Sequence, residues 1–263
     1  MNKALSIEQI ERYESDGVLF PVAALSVDEV AALRHLFQEL EALLGGASLS
    51  SRLSQPHLHF RWAYDLATHP KILDAVEDVI GPDILVHSST IFSKDARTAD
   101  YVSWHQDGYY WRLSDTKLTS CWIALTDSTV ANGCLRVVVG SHVNRLPHYE
   151  LKRPDNILTT GLHLAVEINA DRIRNVTLKA GEMSLHHVNL VHGSDPNRSD
   201  TRRIGYAVRY VAPSVQQVRK HHEVVLARGS DRHGHYERLR DAPPEALQDG
   251  ILAAARFDQR FHV

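Results

Sequence analysis

Leu118-Thr-Ser-Cys-Trp-Ile-Ala-Leu125, then Asn132-Gly133, then Leu135-Arg-Val-Val-Val139 and Gly140-Ser141, decide the fold of this 263-residue chain. Two apolar runs of strand length stand on either side of a turn dipeptide, and each is too short to read as a helix. Working outward, five further runs have the same character: Ile84 to Phe92, Val102 to His105, Val176 to Leu178, Met183 to His186 and Ile204 to Val211. Turn chemistry at Ala180-Gly181-Glu182 and Ser194-Asp195-Pro196-Asn197 separates several of them. Many short strands without intervening helices predict a sandwich or barrel rather than a parallel α/β sheet.

The first third reads differently. Ser6 with Gln9, and Ser26 with Glu29, form capping-box patterns. Val30, Leu33, Phe37, Leu40 and Leu44 recur at helical spacing until Gly45-Gly46. Another helix is expected from Pro70 to Ile80, ended by Gly81-Pro82. Asn144 to Arg174 reads as a long insertion able to cover a site mouth, and the residues after Pro213 as a helix, a lid or a dimer contact. The expected organisation is one domain over 1–263, with a mainly helical part at 1–82, a β core at 83–212 and a C-terminal extension at 213–263.

A hydrophobic content of 43% in this length supports one large globular core. The net charge of -3 gives no basic field for nucleic acid and no acidic tail for a charged partner. Two cysteines, Cys121 and Cys134, lie in apolar runs and read as buried thiols of a reducing compartment. The N-terminus lacks the apolar core of a secretory signal, and no stretch is long enough to span a bilayer. The expectation is a cytoplasmic protein with a small-molecule partner, no nucleic acid and no membrane; a homodimer is compatible with the sequence.

The chemistry concentrates in His105-Gln106-Asp107, with His192 and Arg203 downstream. On an extended strand His105 and Asp107 project to one side and Gln106 to the other. Two histidines and a carboxylate can hold ferrous iron on one face and leave the opposite positions open. His192 is the best third donor; His186 and His187 are rivals. An arginine beyond the second histidine can receive the carboxylate of a co-substrate bound to the same metal. Arg202 is the neighbouring alternative, which strand alternation sends to the opposite face from Arg203.

Trp104-His105-Gln106-Asp107, Trp122-Ile123-Ala124-Leu125, Asn132-Gly133-Cys134-Leu135-Arg136, Gly140-Ser141-His142, Ala180-Gly181-Glu182-Met183-Ser184 and Val191-His192-Gly193-Ser194 through Arg203-Ile204 occur in an order and spacing that resembles the phytanoyl-CoA dioxygenase family of Fe(II)/2-oxoglutarate oxygenases. The likeness covers roughly residues 55 to 211. It implies a double-stranded β-helix, a cupin-like jelly-roll barrel with flanking helices. It implies that His105, Asp107 and His192 bind Fe(II) and that Arg203, eleven positions after His192, pairs with the distal carboxylate of 2-oxoglutarate. By the same likeness Ser194 adds a hydroxyl to that carboxylate, and Thr90 and Trp122 are further co-substrate contacts.

The implied reaction consumes 2-oxoglutarate and O2, yields succinate and CO2, and hydroxylates an unactivated C–H bond. Desaturation, epoxidation and cyclisation use the same iron site. Asp107 speaks against halogenation, because halogenases that resemble this family place a small residue there. A cupin-like metal-binding module without turnover is the reading from another class, and a zinc hydrolase leaves Arg203 and Ser194 without a role. Tyr109-Tyr110-Trp111, together with His57, His59, Arg61 and Trp62, are candidates for the pocket wall. Arg209 falls on the same face as Arg203 and suits either an anionic substrate or a structural ion pair. No basic cluster suits the phosphates of coenzyme A, and the chain ends without a peroxisomal signal, so a small polar or natural-product metabolite is the expected substrate.

Overall fold

The computed structural model describes residues 3–46, 53–217 and 223–261; positions 218–222 of the C-terminal extension lie outside them. In chain order its strands are β1 (Val18–Ala23), β2 (Ile84–Lys94), β3 (Val102–His105), β4 (Leu118–Ala124), β5 (Leu135–Val138), β6 (His148–Glu150), β7 (Leu162–Leu164), β8 (Ile173–Val176), β9 (Glu182–His187), β10 (His192–Ser194), β11 (Arg203–Val211) and β12 (Val225–Arg228). Its helices are α1 (Ile7–Asp16), α2 (Val27–Leu43), α3 (Arg61–Ala67), α4 (Pro70–Ile80), α5 (Asp107–Trp111) and α6 (Leu247–Phe261).

The strands form a six-stranded sheet in the order β1-β9-β4-β11-β2-β12 and a four-stranded sheet in the order β3-β10-β5-β8, with every pairing antiparallel. Inward side chains of both sheets line one cavity, which makes the pair a double-stranded β-helix. Strand β11 shows why. Its even residues Ile204, Tyr206, Val208 and Tyr210 join the apolar layer under the helices, while its odd residues Arg203, Ala207 and Arg209 line the cavity. The two tyrosines bury their hydroxyls, which costs free energy unless they find partners. Each donates to a carbonyl of α3, Tyr206 to Ala63 at 3.2 Å and Tyr210 to Ala67 at 2.9 Å. Those bonds fasten the helical layer to the outer face of the large sheet.

Helices α1 and α2 start at the expected capping boxes, Ser6 with Gln9 and Ser26 with Glu29. The expected β core at 83–212 is widened from both ends of the chain. Strand β1 lies within the part read as helical and pairs with β9. Pro21 obscures it in the sequence, and only an edge position tolerates proline in a strand. At the opposite edge β12 pairs with β2. Helix α6 packs Leu247, Ile251 and Phe257 against the helical layer, so this helix is no lid over the cavity.

The insertion at 144–174 carries the hairpin β6–β7. It buttresses the end of β3, where Ser103 donates to Leu162 O at 2.5 Å and the backbone N–H of Gln106 donates to His148 Nε2 at 3.0 Å. Among the described residues no helix is long and apolar enough to cross a membrane.

Candidate metal and co-substrate site

His105 ends β3 and His192 opens β10, and the two are direct cross-strand partners. Their rings therefore leave adjacent strands together, with centroids 4.2 Å apart. Gln106 stays extended at φ -120° and ψ 125°, so alternation carries one residue past the strand before Asp107 begins α5. The result brings His105 Nε2 to 3.3 Å from Asp107 Oδ1. Donor atoms of His105, Asp107 and His192 all lie within 4.8 Å of one another, and all three residues are buried. Gln106 faces away and is held by the carbonyls of Asn144 and Asn189 and the N–H of Leu146. A Cβ at Gly108 would press on the Asn189 side chain and on Val188 O at 3.3 Å.

Hydrogen bonding sets up both imidazoles as ligands. The Nδ1 of His105 sits 2.8 Å from Ser103 O, and that of His192 sits 2.9 Å from Leu190 O. A carbonyl can only accept, so each Nδ1 carries the proton and each Nε2 keeps its lone pair. Burial and the neighbouring His105 push His192 down to about 4, which keeps it neutral. Burial alone would raise the Asp107 carboxyl, but the neighbouring His105, Arg209 and His192 hold it well below the usual carboxylate range. Two neutral nitrogens and a carboxylate fit a divalent iron ion. The rival His187 is turned away and receives a hydrogen bond from the Asn189 N–H at 3.1 Å. His186 lines the cavity with its ring 4.9 Å from that of His192, but it is outside the set of donors.

Arg203 lies at the β10 side of the same cavity, 2% exposed. Its Nη1 donates to Gly133 O at 2.6 Å and its guanidinium carbon stands 5.2 Å from the centre of the Trp122 ring. Close approach here requires Gly205, since a Cβ at that position would overlap the Trp122 ring. Burial pushes Arg203 down to about 10, still protonated at neutral pH. Arg202, on the opposite face, is held by Glu41 at 2.5 Å and Asp95 at 2.7 Å.

The sequence reading passed over Lys94. It pairs with Arg203 across β2 and β11, and its Nζ donates to Ser194 Oγ at 2.7 Å and Asp195 O at 2.5 Å. Burial and Arg203 together push the Lys94 ammonium down to about 6. Strand alternation from Thr90 through Phe92 points at Lys94, but a strand read as ending at Phe92 hides it. Thr90 itself stands one step along from Arg209, and its hydroxyl accepts from Arg209 Nη1 at 2.8 Å.

The aromatic expectations divide. Trp111 lies beneath Arg209, with 5.9 Å from the guanidinium carbon to its ring, while Tyr109 and Tyr110 are each 42% exposed. His57, His59, Arg61 and Trp62 do not border the cavity. His57 Nδ1 lies 2.7 Å from Ser89 Oγ, Trp62 packs on Tyr206, and Arg61 pairs with Asp65 at 2.8 Å. They follow the outward residues of β2 and β11, on the face opposite Arg203.

Comparison with known proteins agrees with this architecture. The phytanoyl-CoA dioxygenase (PhyH) family model matches residues 13–205. Ectoine dioxygenase of Bordetella parapertussis is 28% identical over 235 residues, covering 79% of this chain and 75% of its own. A probable alpha-ketoglutarate-dependent hypophosphite dioxygenase of Stutzerimonas stutzeri is 28% identical over 228 residues, covering 76% of this chain and 78% of its own. Among solved structures, the non-heme monooxygenase ThoJ in its apo form superimposes with a TM-score of 0.80 and 33% identity, over 96% of each chain. Since the matched segment runs from the first helix into the strand that bears Arg203, the chain belongs to the phytanoyl-CoA dioxygenase family of Fe(II)- and 2-oxoglutarate-dependent oxygenases.

Proposed function

We propose that this enzyme hydroxylates an unactivated C–H bond of a small polar metabolite in the cytoplasm, with conversion of 2-oxoglutarate and O2 to succinate and CO2. One observation carries the reading: a three-donor metal set and the buried Arg203 guanidinium meet at one cavity, with the Lys94 amine directly behind Ser194 in its wall. His105, Asp107 and His192 would hold the iron, which supplies the redox chemistry that activates O2. Arg203, Lys94 and the Ser194 hydroxyl receive the distal carboxylate of 2-oxoglutarate, with Trp122 as the wall beneath the guanidinium. Burial of a guanidinium beside a lysine amine is unfavourable for charge on both, and a bound anion relieves it. The nearby Asp195 carboxylate is engaged by Arg136 at 2.6 Å. The relatives named for ectoine and hypophosphite act on small polar molecules, as their names state, and support the same scale of substrate.

Anaerobic titration of the protein with Fe(II) and 2-oxoglutarate is expected to give a visible charge-transfer band, followed by slow succinate release when O2 is admitted without substrate. A folded protein that shows neither is not the proposed oxygenase.

Lys94 adds a pH signature. Its ammonium is largely neutral above about pH 6 in the empty pocket. A bound carboxylate favours the charged form and raises that value. The complex then holds a proton that the free protein lacks, so 2-oxoglutarate affinity falls as pH rises above about 6, by up to roughly tenfold per unit. Calorimetry in phosphate and in Tris should show proton uptake on binding, and Lys94→Met should abolish it. Binding that is flat between about pH 6 and 9 contradicts this role.

A further inference from the structure

Arg209 is buried in the cavity wall beside the metal donors, yet its charge has no full partner. It is 9% exposed, its Nη1 is held by Thr90 at 2.8 Å, and its Nε has no hydrogen-bond partner. The carboxylate paired with it is Asp107, at 3.7 Å, which is beyond hydrogen-bond reach. That carboxylate is also the one the iron requires. His186 faces the same space with an unpartnered Nδ1. Phe92 and Trp111 flank the guanidinium at 5.7 and 5.9 Å and shield it from water.

A guanidinium and an imidazole nitrogen therefore converge on an apolar-walled space on the metal's side. Arg203 and Arg209 are six residues apart on one strand, roughly 20 Å along the backbone at ~3.3 Å per residue, so the two guanidiniums serve different groups. Charge balance points the same way. Ferrous iron, Arg203 and Arg209 together carry more positive charge than Asp107 and the 2-oxoglutarate dianion cancel.

We infer that Arg209, oriented by Thr90 and assisted by His186, binds an oxyanion beside the metal, and that this oxyanion is a carboxylate, phosphonate or phosphinate of the molecule to be oxidised. This inference rests on the oxygenase reading above and narrows its substrate to a small anionic or zwitterionic metabolite. The other source of such an oxyanion is the 1-carboxylate of 2-oxoglutarate, and the test separates the two.

Nickel-loaded protein, which does not turn over, is titrated calorimetrically with 2-oxoglutarate and then with methylphosphonate. Wild type is expected to bind methylphosphonate saturably on top of 2-oxoglutarate. Arg209→Gln should weaken that binding at least tenfold, with 2-oxoglutarate affinity within threefold of wild type, and Thr90→Val should weaken methylphosphonate binding severalfold. Arg209→Lys should restore part of the loss. Circular dichroism and melting temperature establish that each variant is folded. Unchanged methylphosphonate binding in Arg209→Gln overturns the inference, as does its absence from wild type. Competition of methylphosphonate with 2-oxoglutarate also overturns it, because the anion then occupies the Lys94–Arg203 pocket. A loss of 2-oxoglutarate affinity in Arg209→Gln as large as in Arg203→Met assigns the charge to the co-substrate and overturns it too. Failure of folded wild type to bind 2-oxoglutarate at all removes the oxygenase reading itself, and the inference with it.

Discussion

His192→Ala is expected to abolish succinate formation and the charge-transfer band in anaerobic Fe(II) titrations with 2-oxoglutarate, while leaving the barrel folded. The backbone of β10 is paired on both sides, with β3 and with β5, so the alanine variant keeps the ladder that holds the strand. What it loses is one of the two imidazoles whose Nδ1 is pinned to a carbonyl and whose Nε2 is directed at the cavity. Iron bound by one histidine and one carboxylate has too few donors to stay bound at micromolar concentrations. His105→Ala should behave alike. The control is His186→Ala, which removes an imidazole from the same cavity but from outside the donor set. If His186→Ala loses iron and His192→Ala keeps it, the third ligand has been misassigned.

The second large effect is expected at Arg203. Arg203→Met preserves much of the side-chain volume and removes a charge-assisted pair of donors. Truncating one partner of a buried charge pair costs about 2–5 kcal/mol, roughly thirtyfold to several thousandfold in dissociation constant. The lower end applies here, because removing Arg203 also relieves the repulsion on Lys94, whose ammonium then returns toward its ordinary range and takes over part of the work. The change should appear mainly as weaker 2-oxoglutarate binding, with turnover at saturating co-substrate much less affected, since the contact is remote from the reacting carbon. Combining it with Lys94→Met should cost more than either change alone. Wild-type affinity in Arg203→Met would refute the assignment.

Much of this was readable along the chain. Period-two alternation locates the β core from Ile84 onward and separates Arg203 from Arg202. The capping boxes at Ser6 and Ser26 located two helix starts, because each is satisfied within four residues. The readings that failed were those that depended on distant partners. Strand β1 contains Pro21 and is a strand because β9 lies beside it. His57, His59, Arg61 and Trp62 have the residue types of a pocket wall, but the strand face they meet is the outer one. Lys94 was overlooked because its importance comes from Ser194 and Arg203, and neither is local to it.

By itself, then, the sequence determined the long strands of the central β core, which residues share a face of those strands, and which donors exist for a metal and a carboxylate. These are local properties, set by residue type and the alternation of an extended backbone. The tertiary structure decided which faces meet: that His105 stands opposite His192, that Lys94 lies under Ser194, and that Arg209 reaches Thr90 and the flank of Asp107. Register between strands far apart in the chain sets those encounters, because burying one face of each sheet against the other selects a single pairing and a slip of one residue would turn every inward side chain outward.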